Sequence, residues 1–503
     1  DINTVVKTKS GPVRGKILKT LFDEIPYYAF KGIPYAEPPV KKLRFKKRAV
    51  LFYIHGGGYA EGSGNDHFYG PDFFLNEDVI VVTHNYRVGV LGFMSLGTPE
   101  FSGNMGLKDQ NLALKWVSEN IERFGGDPNS ITIFGHSAGA SSAHFHTLSP
   151  ESNSLFHRAI PMSGSALNVW ATYPPGDQML HLFMIAKSTG TSVYSDKDLK
   201  KFLLNVDGKY FVENVDTSVQ MNGLPRKELE LIWAPVIERK NAIKPFIQTS
   251  PEDILDKKLN NKIDTMFGYT SAEMLFLISE EVNNPKLLEP FDKTFQLQLT
   301  RNRVETYYDG DEYKQLAKEI RNFYFKEDAP ISNETLAEYN DLMSDLFMIY
   351  GIDKSARAHA KHSNGGKSYY YRFSVEGRLN AFKAMFKTES MSGASHGDEL
   401  CYLFRCRMFE EVYANITADS LEMKTIRAVT KLWTNFAKSG NPTPNAEPIE
   451  LKPLENDLVH FIDITNQGLI AALGPNKKFL DFWSDILGRH DSHVKMLKAR
   501  DEL

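Results

Sequence analysis

Cysteine is nearly absent: the 503 residues hold two, Cys401 and Cys406, in the run CYLFRC. Two cysteines cannot build a disulfide framework or a Cys-rich zinc site. The expectation is a pair of small buried side chains or free thiols, because Cys is among the most buried residue types. No stretch approaches the ~20 apolar residues of a membrane helix, so no membrane span is expected. An excess of one charge is also missing. Lys plus Arg number 59 against 63 Asp plus Glu, a net charge of -4, which gives no electrostatic reason to expect nucleic acid or an anionic membrane as partner. Fixed-period repeats and long Gly/Ser/Pro linkers are lacking too, which excludes a tandem array. The opening DINTVVKTKSGPVRG has no basic segment leading into an apolar run, so no signal peptide is expected unless one has been removed.

What is present is ordinary for a globular protein: 42% apolar and 24% charged residues. Length alone suggests about three domains; with no linker to divide it, the chain reads as one domain over 1–503. Short β-branched runs alternate with longer amphipathic ones. Ala49–Ile54, Val79–Thr83 and Ile131–Phe134 read as buried parallel strands, and Arg158–Met162, Ile263–Phe267 and Ser368–Phe373 follow in kind. Leu107–Phe124 repeats Leu112, Trp116, Ile121 and Phe124 at helical spacing, with Gly125-Gly126 as a stop. This alternation predicts an α/β fold with a central, mostly parallel sheet flanked by helices. A helix-rich flank or cap is expected over about 275–365.

Gly135-His136-Ser137-Ala138-Gly139 directly follows the strand ITIF and runs into the small residues Ala140-Ser-Ser-Ala143. A G-x-S-x-G alone is often just a turn. Between a strand and a small-residue helix it predicts a sharp elbow that presents Ser137 as a nucleophile. Upstream, His55-Gly56-Gly57-Gly58 follows the strand AVLFYI. As a lone motif it would be a plain glycine turn; beside an elbow, its backbone N–H groups suit an oxyanion. Gly57, Gly58 and Ala138 are the expected donors.

A serine nucleophile needs a base, and the base needs an orienting carboxylate. Of 14 histidines, His396 stands out in the small-residue loop SGASHGDE after the strand SYYYRF. For the acid, Glu273 follows the strand IDTMFG, but spacing does not choose it over Glu280 or Glu281. His144 and His146, the one tight His pair, diverge at i, i+2 on a helix, so no metal is expected. No cofactor is needed for this chemistry.

At this point the residues resemble a known family. The run GNMGLKDQNLALKWVSENIERFGGDPNSITIFGHSAGASS, with FKGIPYAEPPVKKLRF, LFHRAIPMSGS, YYYRFSVEG and SGASHGDELCYLF, resembles the carboxylesterase/cholinesterase family of type-B serine esterases over nearly the whole chain. In detail it is similar to insect α-esterases. The resemblance implies the α/β-hydrolase fold and a Ser137, Glu273, His396 triad, with Ser163 and His136 in the network beside it. Trp170, near Leu167 and Val169, is a candidate for the acyl pocket; the alternative is ordinary core packing.

Departures from the family pattern carry information. Cholinesterases have Glu where this chain has His136, which argues against choline esters. Juvenile hormone esterases usually have Gln there, which weakens that substrate without excluding it. Between Arg44-Phe45 and Ala49, family members hold several dozen residues, including a disulfide loop and the motif EDCLYLN. This chain has Lys46, Lys47 and Arg48. Either an edge element is lost, or the segment is missing from this sequence; the second is expected, because a family member would not survive losing sheet strands.

The implied function is hydrolysis of small lipophilic, dietary or xenobiotic esters through an acyl-enzyme, with sequestration of organophosphates as a variant of the same first step. The alternatives are a juvenile-hormone-type esterase and a non-catalytic adhesion relative of the same fold. Relatives of the adhesion kind have typically lost triad members, which this chain keeps. The tail Arg500-Asp-Glu-Leu503 resembles KDEL-type retention signals, and Asn333 and Asn415 head N-x-[ST] sequons. Residence in the endoplasmic reticulum lumen is expected, with the cytoplasm as alternative. Nothing in the sequence reads out an oligomeric state.

Overall fold

Alternation of side chains along the strands decides which faces of the sheet are covered. In β5 (Arg48–Ile54), Val50, Phe52 and Ile54 enter one apolar cluster, and Ala49, Leu51 and Tyr53 enter another on the opposite face. A strand buried on both faces reads as an unbroken apolar run, as this one does. The computed structural model describes residues 5–8, 11–30, 47–173, 178–213, 231–257, 259, 262–293, 295, 310–446, 449–455, 459–474 and 478–489.

Ahead of β5 lie two small hairpins, β1 (Val5–Thr8) with β2 (Gly11–Arg14) and β3 (Lys16–Lys19) with β4 (Pro26–Ala29). The remaining strands are β6 (Ile80–Thr83), β7 (Gly126–His136), β8 (Arg158–Met162), β9 (Asp264–Thr270), β10 (Ser368–Phe373), β11 (His460–Thr465) and β12 (Gly468–Leu473). With β5 they form an eight-stranded sheet in the order β12-β11-β10-β9-β8-β7-β5-β6. All its pairs are parallel except β11 with β12. Crossing between parallel neighbours requires helices on the faces. Ala138–Leu148 and Tyr350–His362 supply Ala143, Phe145, Ile352 and Ala356 to one apolar cluster. Leu421–Ser439 supplies Ile426, Val429, Trp433 and Phe436 to the other. That last helix starts where the Ser420 side chain accepts the Met423 N–H, and ends at Gly440 with φ 74°. The expected α/β architecture with a mostly parallel sheet is what the chain adopts.

Two expectations are corrected. The helix Met105–Asn120, continued by a 3-10 turn over Ile121–Phe124, buries Leu107, Leu114 and Val117, while Leu112 is 69% exposed. Of the four residues read at helical spacing, Ile121 and Phe124 are fully buried, Trp116 is half-buried and only Leu112 faces out; Gln110 and Asn111, hydrogen-bonded to Ser142 and Ser152, are buried instead. Cys401 and Cys406 are not free thiols. They form a disulfide with Cα atoms 5.4 Å apart, and both are fully buried. Burial was foreseen; pairing was not, since two cysteines five positions apart carry no signal of whether the turn between them closes.

Between 275 and 365 the described helices include Gly310–Tyr324, Leu336–Ser344 and Tyr350–His362. Residues 31–46, where the departure from the family begins, and Arg500–Leu503 lie outside the described residues. Among the described residues no helix is long and apolar enough to cross a membrane.

Buried histidines set an acid limit on this fold. His144 shares a 3.1 Å Nε2–Nε2 hydrogen bond with His359, and His146 meets Ser152 and Gln110. Burial pushes His84 and His146 down to about 3 and His359 down to about 4. Folded, these rings bind fewer protons than the unfolded chain at any pH between those values and about 6.5. Their contribution is therefore complete above about 6.5 and is lost as pH falls. Each such ring costs about 1.4 kcal/mol per pH unit in that window. Thermal melts between pH 7.5 and 5 should show Tm falling below about 6.5, and His146→Gln should flatten the slope by one proton. An unchanged slope in the variant would assign the acid loss elsewhere.

Candidate active site

Strand β7 ends at His136, and the next residue turns so sharply that Ser137 takes φ 60°, ψ −123° before the helix Ala138–Leu148 begins. Positive φ is costly for a residue with a Cβ. The neighbours are small because the turn leaves no space. A Cβ on Gly135 would lie 2.4 Å from the Gly139 carbonyl oxygen, and one on Gly139 would lie 2.1 Å from that of Ile54. Hydrogen bonds fix the elbow from both sides: the Ser137 N–H donates to Met162 O at 2.9 Å, and the Ser141 N–H donates to Ser137 O at 3.0 Å.

The glycine run after β5 passes over this elbow. A Cβ on Gly56 would meet His136 O at 2.7 Å and Ser137 Cβ at 3.1 Å. Gly57 (φ 109°) and Gly58 (φ 58°) then turn the chain, and Gly57 O accepts the N–H groups of Ala60 and Glu61. Among the described residues, no hydrogen bond uses the N–H of Gly57, Gly58 or Ala138. Ala138 opens the helix that follows Ser137, so its N–H stands at a helix N-terminus.

Glu273 and His396 come together because β9 and β10 are parallel neighbours whose loops continue the ladder. Ser271 N–H donates to Phe373 O, Ala272 N–H to Ala394 O, and His396 N–H to Glu273 O. The side chains complete the link: Glu273 Oε2 lies 2.6 Å from His396 Nδ1, while its Oε1 accepts the Thr270 N–H at 2.7 Å. Glu273 is wholly buried. Glu280 and the buried Glu281 are residues of the helix Ser279–Asn283. The His396 ring packs 4.3 Å from His136, 5.1 Å from Phe276 and 5.9 Å from Phe382, centroid to centroid. Among the described residues Ser137 Oγ has no hydrogen-bond partner; catalytic contacts of this kind often close only with substrate bound.

The other residues singled out in the sequence are positioned as follows. His136 is buried, which holds its imidazole well below the ordinary range and so uncharged, with His396 adding to the effect. Ser163 (φ 53°) follows β8; its N–H donates to Gly268 O, and its hydroxyl is buried with no partner among the described residues. Trp170 is 3% exposed and packs 6.4 Å from Tyr59, the residue after Gly58. His144 and His146 hold other side chains, as described above. Asn333 and Asn415 are exposed.

Sequence reading missed what steadies the His396 loop. Asp398 accepts the N–H groups of Phe382, Lys383 and Ser395, and the amide of Asn380. Lys383, buried, donates to Glu376 and to the carbonyls of Met391 and Gly393. Asp398 stood in the HGDE run, two residues from His396; Lys383 had no signal at all. Glu399 is also buried, and burial, with Glu273 nearby, pushes its carboxyl well up.

Comparison with known proteins places the chain among esterases. A family profile described as "Carboxylesterase family" matches residues 2–48 and 46–483. Its two pieces meet at the point where the sequence departs from the family pattern. The chain is 29% identical over 556 residues to a juvenile hormone esterase of Tribolium castaneum, covering 95% of this chain and 93% of that protein. It is 28% identical over 545 residues to esterase B1 of Culex pipiens (95% and 97%) and 31% identical over 543 residues to esterase FE4 of Myzus persicae (93% and 90%). A crystal structure of juvenile hormone esterase from Manduca sexta, with OTFP covalently attached, shares the fold. Its TM-score is 0.80 at 24% identity, covering 96% of this chain and 99% of that one.

The close approaches at the elbow make a stability prediction. Gly139→Ala should destabilise by about 1–3 kcal/mol, the usual cost of overpacking, read as a lowered Tm. A variant that melts with the wild type would show that the elbow relaxes without cost.

Proposed function

The chain belongs to the carboxylesterase family and is a carboxylic ester hydrolase; from that premise we propose that Ser137, His396 and Glu273 are its catalytic triad. The observation that carries this reading is the 2.6 Å bond between His396 Nδ1 and buried Glu273, on an imidazole packed against the residue preceding Ser137. Ser137 Oγ attacks the ester carbonyl carbon as its proton passes to His396 Nε2. Glu273 holds the tautomer and stabilises the imidazolium. The N–H groups of Gly57, Gly58 and Ala138 take the oxyanion. His396 then gives its proton to the departing alcohol, and water repeats the sequence on the acyl-enzyme to release the acid.

Trp170, packed beside the residue after Gly58, borders the acyl group. His136, buried and uncharged, offers no anion to a cationic alcohol, so neutral lipophilic esters are the proposed substrates. Sequestration of organophosphates is the same first step with slow release. A juvenile-hormone-type ester is the second reading, favoured by the Tribolium castaneum similarity. Folding in the endoplasmic reticulum is supported by the Cys401–Cys406 disulfide, since disulfides persist in oxidising compartments. Exposed Asn333 and Asn415 are the glycosylation candidates there.

Intact mass after brief exposure to a fluorophosphonate tests the triad. The wild-type protein should gain one adduct and Ser137→Ala none. Glu273→Gln should label slower by about 10⁴-fold, the loss expected when the imidazole takes the wrong tautomer. Labelling of Ser137→Ala would overturn the assignment.

A further inference from the structure

Leu336–Ser344 and Tyr350–His362 are one helix interrupted by a π-helical turn, Asp345–Ile349, in which the Tyr350 N–H donates to Asp345 O. Such a turn accommodates one extra residue and is frequent at functional sites. This one is tied to two walls of the active site. Just before it, Ser344 Oγ accepts the N–H of Met274, the residue after Glu273, at 3.1 Å. Within it, Phe347 O accepts the Trp170 indole N–H at 2.8 Å and the Asn168 amide at 2.8 Å, and Met348 O accepts the Asn168 amide at 2.7 Å. Just after it, Gly351 lets the helix lie so close that a Cβ there would sit 2.8 Å from Asn168 N. From the outer side, the Tyr324 hydroxyl donates to Asp345 at 2.7 Å and itself accepts the Trp483 indole N–H at 2.7 Å.

We infer that the π turn is a spacer that sets the depth of the acyl side of the site, with Asn168 as the residue that positions Trp170 on it. The inference rests on the proposed reading in which Trp170 borders the acyl group. Asn168 is suited to the task because both ends of its amide are engaged. Its Nδ2 bridges the two carbonyls, and its Oδ1 accepts the N–H and hydroxyl of Ser165 at 2.6 and 2.9 Å. Asn168 and Trp170 are each only 3% exposed, so a bond lost there is not replaced by bulk water. Phe347 O is shared by both side chains, so the indole and the loop that carries it are fixed to one acceptor. The same helix fixes the loop of Glu273 through Ser344, so the separation between the acid and the acyl wall follows from the rise across one turn.

The test compares p-nitrophenyl acetate with p-nitrophenyl hexanoate, and a set of acetates with different alcohols, on the full chain. Asn168→Ala, Trp170→Phe (which keeps a ring and removes the N–H) and Gly351→Ala should each loosen the wall. The hexanoate-to-acetate ratio of kcat/KM should rise about tenfold, the scale of a methylene in an apolar pocket, with the ranking of alcohols unchanged. Because Asn168 and Trp170 share the Phe347 carbonyl, the double variant should move the ratio no further than the larger single change. Folded variants that still take up fluorophosphonate but keep the wild-type ratio, or shift it towards acetate, overturn the inference and leave the esterase assignment standing. Failure of the wild-type protein to label overturns the underlying reading instead. If Asn168→Ala does not fold, Trp170→Phe alone decides.

Discussion

Ser137 is held in a backbone conformation that its side chain resists, and the surrounding site depends on that one strained turn. A residue in such a region costs about 1–3 kcal/mol and persists only where its surroundings over-determine it. Here Met162 O fixes it from the neighbouring strand and the Ser141 N–H from the following helix. The glycines on three sides follow from the same constraint. Gly135 and Gly139 let strand and helix meet, and Gly56 lets the upstream loop cross Ser137 itself. That crossing leads straight into Gly57 and Gly58, the proposed oxyanion donors. The elbow and the glycine loop that crosses it are therefore one packing solution.

This interdependence explains why so much of the site was legible in the sequence. Glycine at three close approaches leaves a pattern that survives translation into letters, and the strand before the elbow fixes its context. His396 could be singled out because it sits in a loop of small residues after a strand. Glu273 could not be separated from Glu280 and Glu281 by spacing, because what selects it is the register of β9 against β10, a property of pairing. The same limit applies elsewhere. Leu112 faces out while the hydrogen-bonded amides of Gln110 and Asn111 are buried, a choice that apolar spacing does not reveal. Pairing of Cys401 with Cys406 depends on a local turn that no count of cysteines reveals.

The loop that carries His396 has little regular structure, yet it is among the most firmly tied segments of the chain. Lys383 gathers the carbonyls of Met391 and Gly393, Asp398 gathers three N–H groups and an amide, and the disulfide closes the turn a few residues later. Three rings then confine the imidazole. A general base, the role proposed for His396, must be held to within a fraction of an ångström to be effective, and here loop chemistry supplies the precision that a helix or strand would otherwise give.

The ladder that joins the loops of Glu273 and His396 also orders events during synthesis. Domains form from the N-terminus as the chain emerges, and Ser137 leaves the ribosome long before residue 396 has been translated. Until β10 docks beside β9, the elbow lacks its proposed base, and under the proposed triad a nascent or truncated chain ending before that strand is chemically silent. On that reading, translation itself withholds the last part of the machinery while the chain is made.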